Sequence, residues 1–110
     1  MFRSIILAVA LIFVARVAYA QDAKIAKGVE VYGAQKCAIC HSIAGKGNAK
    51  GPLDDVGSKY SNADLKAWIV DATGMTTKTK APRKPFMKNY NLPPEDLDAL
   101  VAYMASLKKK

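Results

Sequence analysis

Two thiols and one imidazole fall within five consecutive residues, Cys37-Ala38-Ile39-Cys40-His41. They are the only cysteines and the only histidine among 110 residues. Cys-x-x-Cys-His is the attachment pattern of a c-type haem. Two sulfurs add across the ring's two vinyl groups, and two intervening residues let one tight turn present both along one edge. The histidine follows at once, so its imidazole comes up beneath the iron as an axial ligand. A dithiol switch would want a βαβ surrounding, and a zinc site would want a fourth ligand. The chain offers neither.

The elements that position this turn begin after a leader. Arg3 supplies a positive start, Ile5 to Ala15 form an apolar run, and Ala18-Tyr19-Ala20 is a small-residue cleavage pattern before Gln21. An uncleaved anchor is the alternative, but the run falls short of the roughly 20 apolar residues of a membrane span, and Arg16 ends it. Residues 1–20 are therefore expected to be a cleaved signal peptide and residues 21–110 one domain. So small a core is marginal without a staple, and a buried porphyrin would act as one. Cleavage removes Arg3 and Arg16 and lowers the formal net charge from +8 to +6. A basic exported protein can dock on acidic partners or anionic surfaces, or carry its charge for solubility. No nucleic-acid motif is present, and export puts the chain in the wrong compartment for one.

Three segments show helical periodicity and nothing alternates with period two, so the expected class is all-α, without strands. The first helix covers about Ala23 to Gly33, with Ile25, Gly28, Val29 and Tyr32 on one face. The second starts at a Ser61 cap with Asp64 three residues on, carries Leu65, Trp68, Ile69 and Ala72, and ends near Thr73-Gly74. Pro93-Pro94 opens the third, with Glu95 and Asp96 in its first turn and lysines at its end. Its apolar stripe is Leu97, Leu100, Val101, Met104 and Leu107. From Thr73 to Pro93 there is no helical period. A loop that long is unusual in a compact domain unless it has a cofactor face to pack on.

From about Ala23 to Lys108 the order of parts resembles the small monohaem class I cytochromes c of bacterial periplasms. The resemblance implies the cytochrome c fold: three main helices and long loops wrapped around one covalent haem. It implies that Gly28 and Tyr32 let the first helix cross the last one closely, with Leu100 and Tyr103 as partners. Gly51-Pro52-Leu53 resembles the family's Gly-Pro segment, which implies that the Pro52 carbonyl accepts from the proximal imidazole and orients it. Trp68 resembles the aromatic at the haem edge, implying a haem-binding role, packed on the ring or donating to a propionate. Tyr60 and Arg83 are looser propionate candidates, and a solvated loop is the better reading of each.

The second axial ligand decides what the iron can do. With no second histidine, the candidates are Met75, Met87 and Met104. Met104 lies on the last helix's apolar stripe and reads as core, and Met75 comes early to reach back over the ring. The resemblance implies Met87, in the proline-rich loop with Tyr90 just after it, although Lys88 stands where a proline often follows. His41 and Met87 together would leave no open coordination site. The implied function is then a soluble periplasmic electron carrier, not an enzyme, with haem c held by Cys37 and Cys40 as its one cofactor. The implied partners are redox proteins with acidic docking surfaces, met through Lys36, Lys46, Lys50 and Lys84 or Lys88 around the haem edge. Neither nucleic acid nor stable membrane insertion after cleavage is expected, and the chain is expected to be a monomer. The competing reading is a five-coordinate haem that binds a gas or handles peroxide.

Overall fold

Helix α1 is Phe2–Ala34, a longer element than the one expected from Ala23. The computed structural model describes the backbone of residues 2–109 and the side chains of residues 18–109. Apart from Ala18, Tyr19 and Ala20, the leader assigned to residues 1–20 therefore lies outside the described side chains. Among the described residues, no helix is long and apolar enough to cross a membrane. After α1 come a 3₁₀ turn at Cys37–Ile39, a hairpin of β1 (Ser42–Ile43) and β2 (Lys46–Gly47), and then α2 (Val56–Lys59), α3 (Asn62–Val70), α4 (Ala72–Thr79) and α5 (Pro94–Ser106).

The domain is built on the crossing of α1 and α5. A Cβ on Gly28 would collide with the Ala99 carbonyl oxygen and stand 2.6 Å from Tyr103 Cβ, so only glycine permits this approach. One turn on, the Tyr32 and Tyr103 rings meet edge to face, 5.8 Å apart at 86°, a geometry worth about 0.5–1.5 kcal/mol beyond area burial. The face that α1 buries differs from the expected one. Val31 is 5% exposed and Val29 is 48% exposed, because the stripe facing α5 runs through Gly28, Val31 and Tyr32. Val29, one residue after Gly28, is turned about 100° away. On α5, Ala99, Leu100 and Met104 are the buried residues.

Ser61 caps α3 as its position implies, its hydroxyl accepting from Asp64 N at 3.2 Å. The chain departs from expectation after Val70. Asp71 breaks α3 and caps a new helix, accepting from Gly74 N at 3.2 Å, so the stretch expected as loop contains α4. The polar, threonine-rich sequence of α4 carries little amphipathic signal, and its inward face consists of Ala72 and Met75. The hairpin is a second departure: Ser42 pairs with Gly47 and Ile43 with Lys46. Ala44 and Gly45 both take positive φ, 51° and 79°, as a two-residue turn of the primed type requires. Strands of two residues are too short to show alternation.

The core is a ring of side chains around a cavity. Val31, Leu65, Ile69, Leu100 and Met104 cluster, flanked by Tyr32, Leu53, Tyr90, Leu97 and others only partly buried. Leu65, Ile69, Leu100 and Met104 also line the cavity, so core and cavity share one wall of side chains.

Candidate haem site

The residues after α1 fold into a cradle for His41. Lys36 takes a left-handed φ of 58° and turns the chain out of the helix into the thiol turn. That turn closes with Cys40 N and His41 N both donating to Cys37 O, at 3.1 and 3.0 Å. The hairpin then doubles back beneath it: Asn48 N donates to His41 O at 2.9 Å, and Ser42 N to Gly51 O at 3.0 Å. This loop brings Gly51 O within 3.1 Å of His41 Nδ1. A carbonyl only accepts, so Nδ1 carries the proton and the Nε2 lone pair is free for a metal. The acceptor is therefore Gly51 rather than Pro52, a correction of one residue. Ser42 pairs with Pro52 as a parallel bridge, which directs the carbonyl before the proline, not the proline's own, at the imidazole.

Cys37, Cys40, His41, Pro52, Trp68 and Met87 all line one cavity of about 450 Å³, within the roughly 300–1,000 Å³ of ligand and cofactor pockets. Cys37 and Cys40 form no disulfide with each other. Burial pushes the Cys37 thiol up from its ordinary range, with the neighbouring Cys40 adding to the rise. Burial also lowers His41, as does the Arg83 charge, against the raising effect of the Gly51 hydrogen bond. The histidine is thus held neutral, the form that binds metal.

Two buried polar atoms on this wall, Trp68 Nε1 and Tyr32 Oη, are bonded to no protein group. Buried donors without partners are rare in native folds, and here both belong to residues that line the cavity. With two thiols and a neutral imidazole in the same wall, the donor set fits a large, mainly apolar ring that carries acceptor groups and a metal. His41 and Met87 would hold the iron, Cys37 and Cys40 the ring edge, and Trp68 a propionate.

The structure separates the methionines. Met75 is 8% exposed on α4 and does not line the cavity. Met104 reaches the wall from the packed core on α5 and is 7% exposed. Met87 lines it from the loop between α4 and α5. Tyr60 and Arg83, expected as solvated loop residues, also line the cavity. The Arg83 guanidinium lies against Gly51, where a Cβ would strike it and the Cys40 carbonyl oxygen. A signal for Arg83 was present: it is the single arginine after residue 20, standing where a fork of planar donors would serve better than one more lysine.

A family model described as "Cytochrome c" matches residues 25–108. Among curated proteins, "Cytochrome c oxidase subunit 2" of Alkalihalophilus pseudofirmus is 32% identical over 91 residues, which cover 74% of this chain and 25% of that protein. The chain thus spans about a quarter of that relative's length. No solved structure matches the chain. With most of the chain inside the family match and the Cys-x-x-Cys-His turn lining the cavity, this chain belongs to the cytochrome c family, whose cofactor is a covalent haem c.

Proposed function

We propose that the protein is a soluble, exported carrier of single electrons in the periplasm, with His41 and Met87 as the axial ligands of its one haem. The observation that carries this reading is that Met87 and His41 line one cavity, while Met75, buried on α4, does not line it. When bound, the haem supplies one-electron chemistry between Fe(III) and Fe(II). Cys37 and Cys40 would hold the ring covalently, each thiol giving its sulfur to one carbon of a vinyl group and its proton to the other. His41 offers Nε2 because Gly51 O holds its Nδ1 proton. Met87 offers a soft thioether, which favours the ferrous form and raises the potential. Apolar walls built from Leu65, Ile69 and Leu100 exclude water and act in the same direction, by disfavouring the more positive ferric state.

Ile39 in the thiol turn is 68% exposed and Phe86 in the Met87 loop 55%; Lys36, Lys46 and Lys50 are exposed close to the turn in sequence, and Lys84 and Lys88 are exposed on either side of Phe86. A redox partner with an acidic surface is the complement. The likeness to part of an oxidase subunit is consistent with a place in a redox complex.

The test is the absorption spectrum of the matured protein and of Met87→Ala. A sharp reduced α-band with a weak far-red ferric band, the latter lost in Met87→Ala, is the expected result. A c-type spectrum with no far-red band in the parent protein, together with carbon monoxide binding at neutral pH, would favour the gas-binding reading.

A further inference from the structure

The loop bearing Met87 is held at its C-terminal side by two tethers. Among the described residues, 82–88 make no hydrogen bond. The chain is caught again only after Met87. Tyr90 N donates to Ile69 O at 2.8 Å, and the Asn89 side chain grips Thr73 at the start of α4 through two bonds. Asn89 Oδ1 accepts from Thr73 N at 3.0 Å, and its Nδ2 donates to Thr73 Oγ1 at 3.3 Å. A backbone N–H can only donate, so the amide's orientation is determined by its partner. Thr73 N is one of the donors that a helix start leaves without an intrahelical acceptor. Asp71 takes Gly74 N and Asn89 takes Thr73 N, so the cap of α4 is shared with the methionine loop.

We propose that Asn89 is a positioning residue for the Met87 ligand: its amide clamps the loop to α4 and sets how readily the methionine leaves the iron. The inference rests on Met87 being that ligand. Asn89 is exposed, so its loss opens no buried hole. It removes the side-chain tether two residues from Met87 and leaves the Tyr90 backbone bond to hold the loop alone.

The haem-loaded protein is titrated with imidazole in its ferric form, following the far-red band. Imidazole reaches the iron only when Met87 has left, so its apparent affinity scales with the open fraction. Asn89→Ala is expected to keep the far-red band and bind imidazole about fivefold more tightly, a shift of about 1 kcal/mol. Ser61→Ala removes a comparable cap on α3, far along the chain from the loop, and is expected to bind imidazole as the parent does. Should Asn89→Ala fail to mature, Thr73→Val, which removes the Oγ1 arm together with the 3.5 Å bond from Thr73 Oγ1 to Asp71 Oδ1, is expected to raise the affinity about twofold. Unchanged affinity in the mature variant, or an equal rise in Ser61→Ala, overturns the clamp. Met87→Ala separates this failure from that of the underlying reading. If its far-red band persists, the ligand assignment falls, and the clamp with it. If the band vanishes while the clamp variants bind as the parent does, only the clamp falls.

Discussion

Gly28→Ala sets two effects of opposite sign against each other. Alanine in a helix interior is favoured over glycine by about 0.8–1.0 kcal/mol, so propensity alone makes the variant more stable. The crossing opposes it. The new Cβ would overlap Ala99 O and stand 2.6 Å from Tyr103 Cβ, and the first obstacle is backbone that cannot rotate away. Relief requires α1 and α5 to separate, which loosens the Tyr32–Tyr103 contact and the seat of Val31. Overpacking of this kind costs about 1–3 kcal/mol, and the aromatic pair adds about 0.5–1.5 kcal/mol if it parts. The expected net is a loss of about 1–2 kcal/mol, or roughly 4–16 °C in Tm for a domain of this size. Gly33→Ala on the same helix is the control. A Cβ there meets nothing within 4 Å, so propensity acts alone and stability should rise by about 0.5–1 kcal/mol. Denaturant melts of the haem-loaded variants read both. The reasoning is refuted if Gly28→Ala equals or exceeds the parent, or if the two substitutions move stability in the same direction.

Met75→Ala should cost about 2–5 kcal/mol of stability, as a deleted buried side chain does, yet leave the far-red band intact, because Met75 does not line the cavity; loss of the band would reverse the ligand assignment. Trp68→Phe removes a donor assigned to a propionate. Such a donor holds a carboxylate's pKa down, so the pH range over which the reduction potential falls should move upward in the variant, and an unchanged curve would exclude the indole as donor. Burial pushes Tyr32 up from 10.0 to about 12, and burial raises Tyr90 and Tyr103 as well. The fold thus prefers the neutral phenols: this contribution is complete below pH 10, the unfolded value, and is lost as pH rises toward 12. Denaturant midpoints between pH 9 and 12 should fall less steeply in Tyr32→Phe than in the parent, and identical slopes would count against the burial.

Much of the site could be read from the chain because its chemistry is local. Cys37, Cys40 and His41 are neighbours in sequence, and a single turn places all three on the cavity wall. The cap at Ser61 and the Pro94 start of α5 are equally local, each a backbone donor met or avoided by an adjacent residue. Gly28 was placed at the helix crossing by the resemblance, and the close approach of α5 is the physical reason for a glycine there. Its partner was a different matter: the structure gives Ala99 and Tyr103, where the resemblance suggested Leu100 and Tyr103.

What the sequence could not determine were contacts between segments that meet only after folding. Whether Gly51 or Pro52 receives the imidazole proton depends on how the hairpin folds back beneath the thiol turn, a matter of one peptide's orientation. The buried face of α1 turns on helical phase, and one residue of phase exchanges Val29 for Val31. Helix α4 was hidden because its threonines carry no periodic signal and its start needs a cap completed by Asn89, sixteen residues on. Arg83 and Tyr60 read as loop residues until tertiary folding turned them onto the cavity. The sequence by itself determined the covalent chemistry, since thiols and imidazole carry it within five residues. Only the tertiary structure decided which distant side chains complete the ring's surroundings, because that depends on loop paths no local pattern encodes.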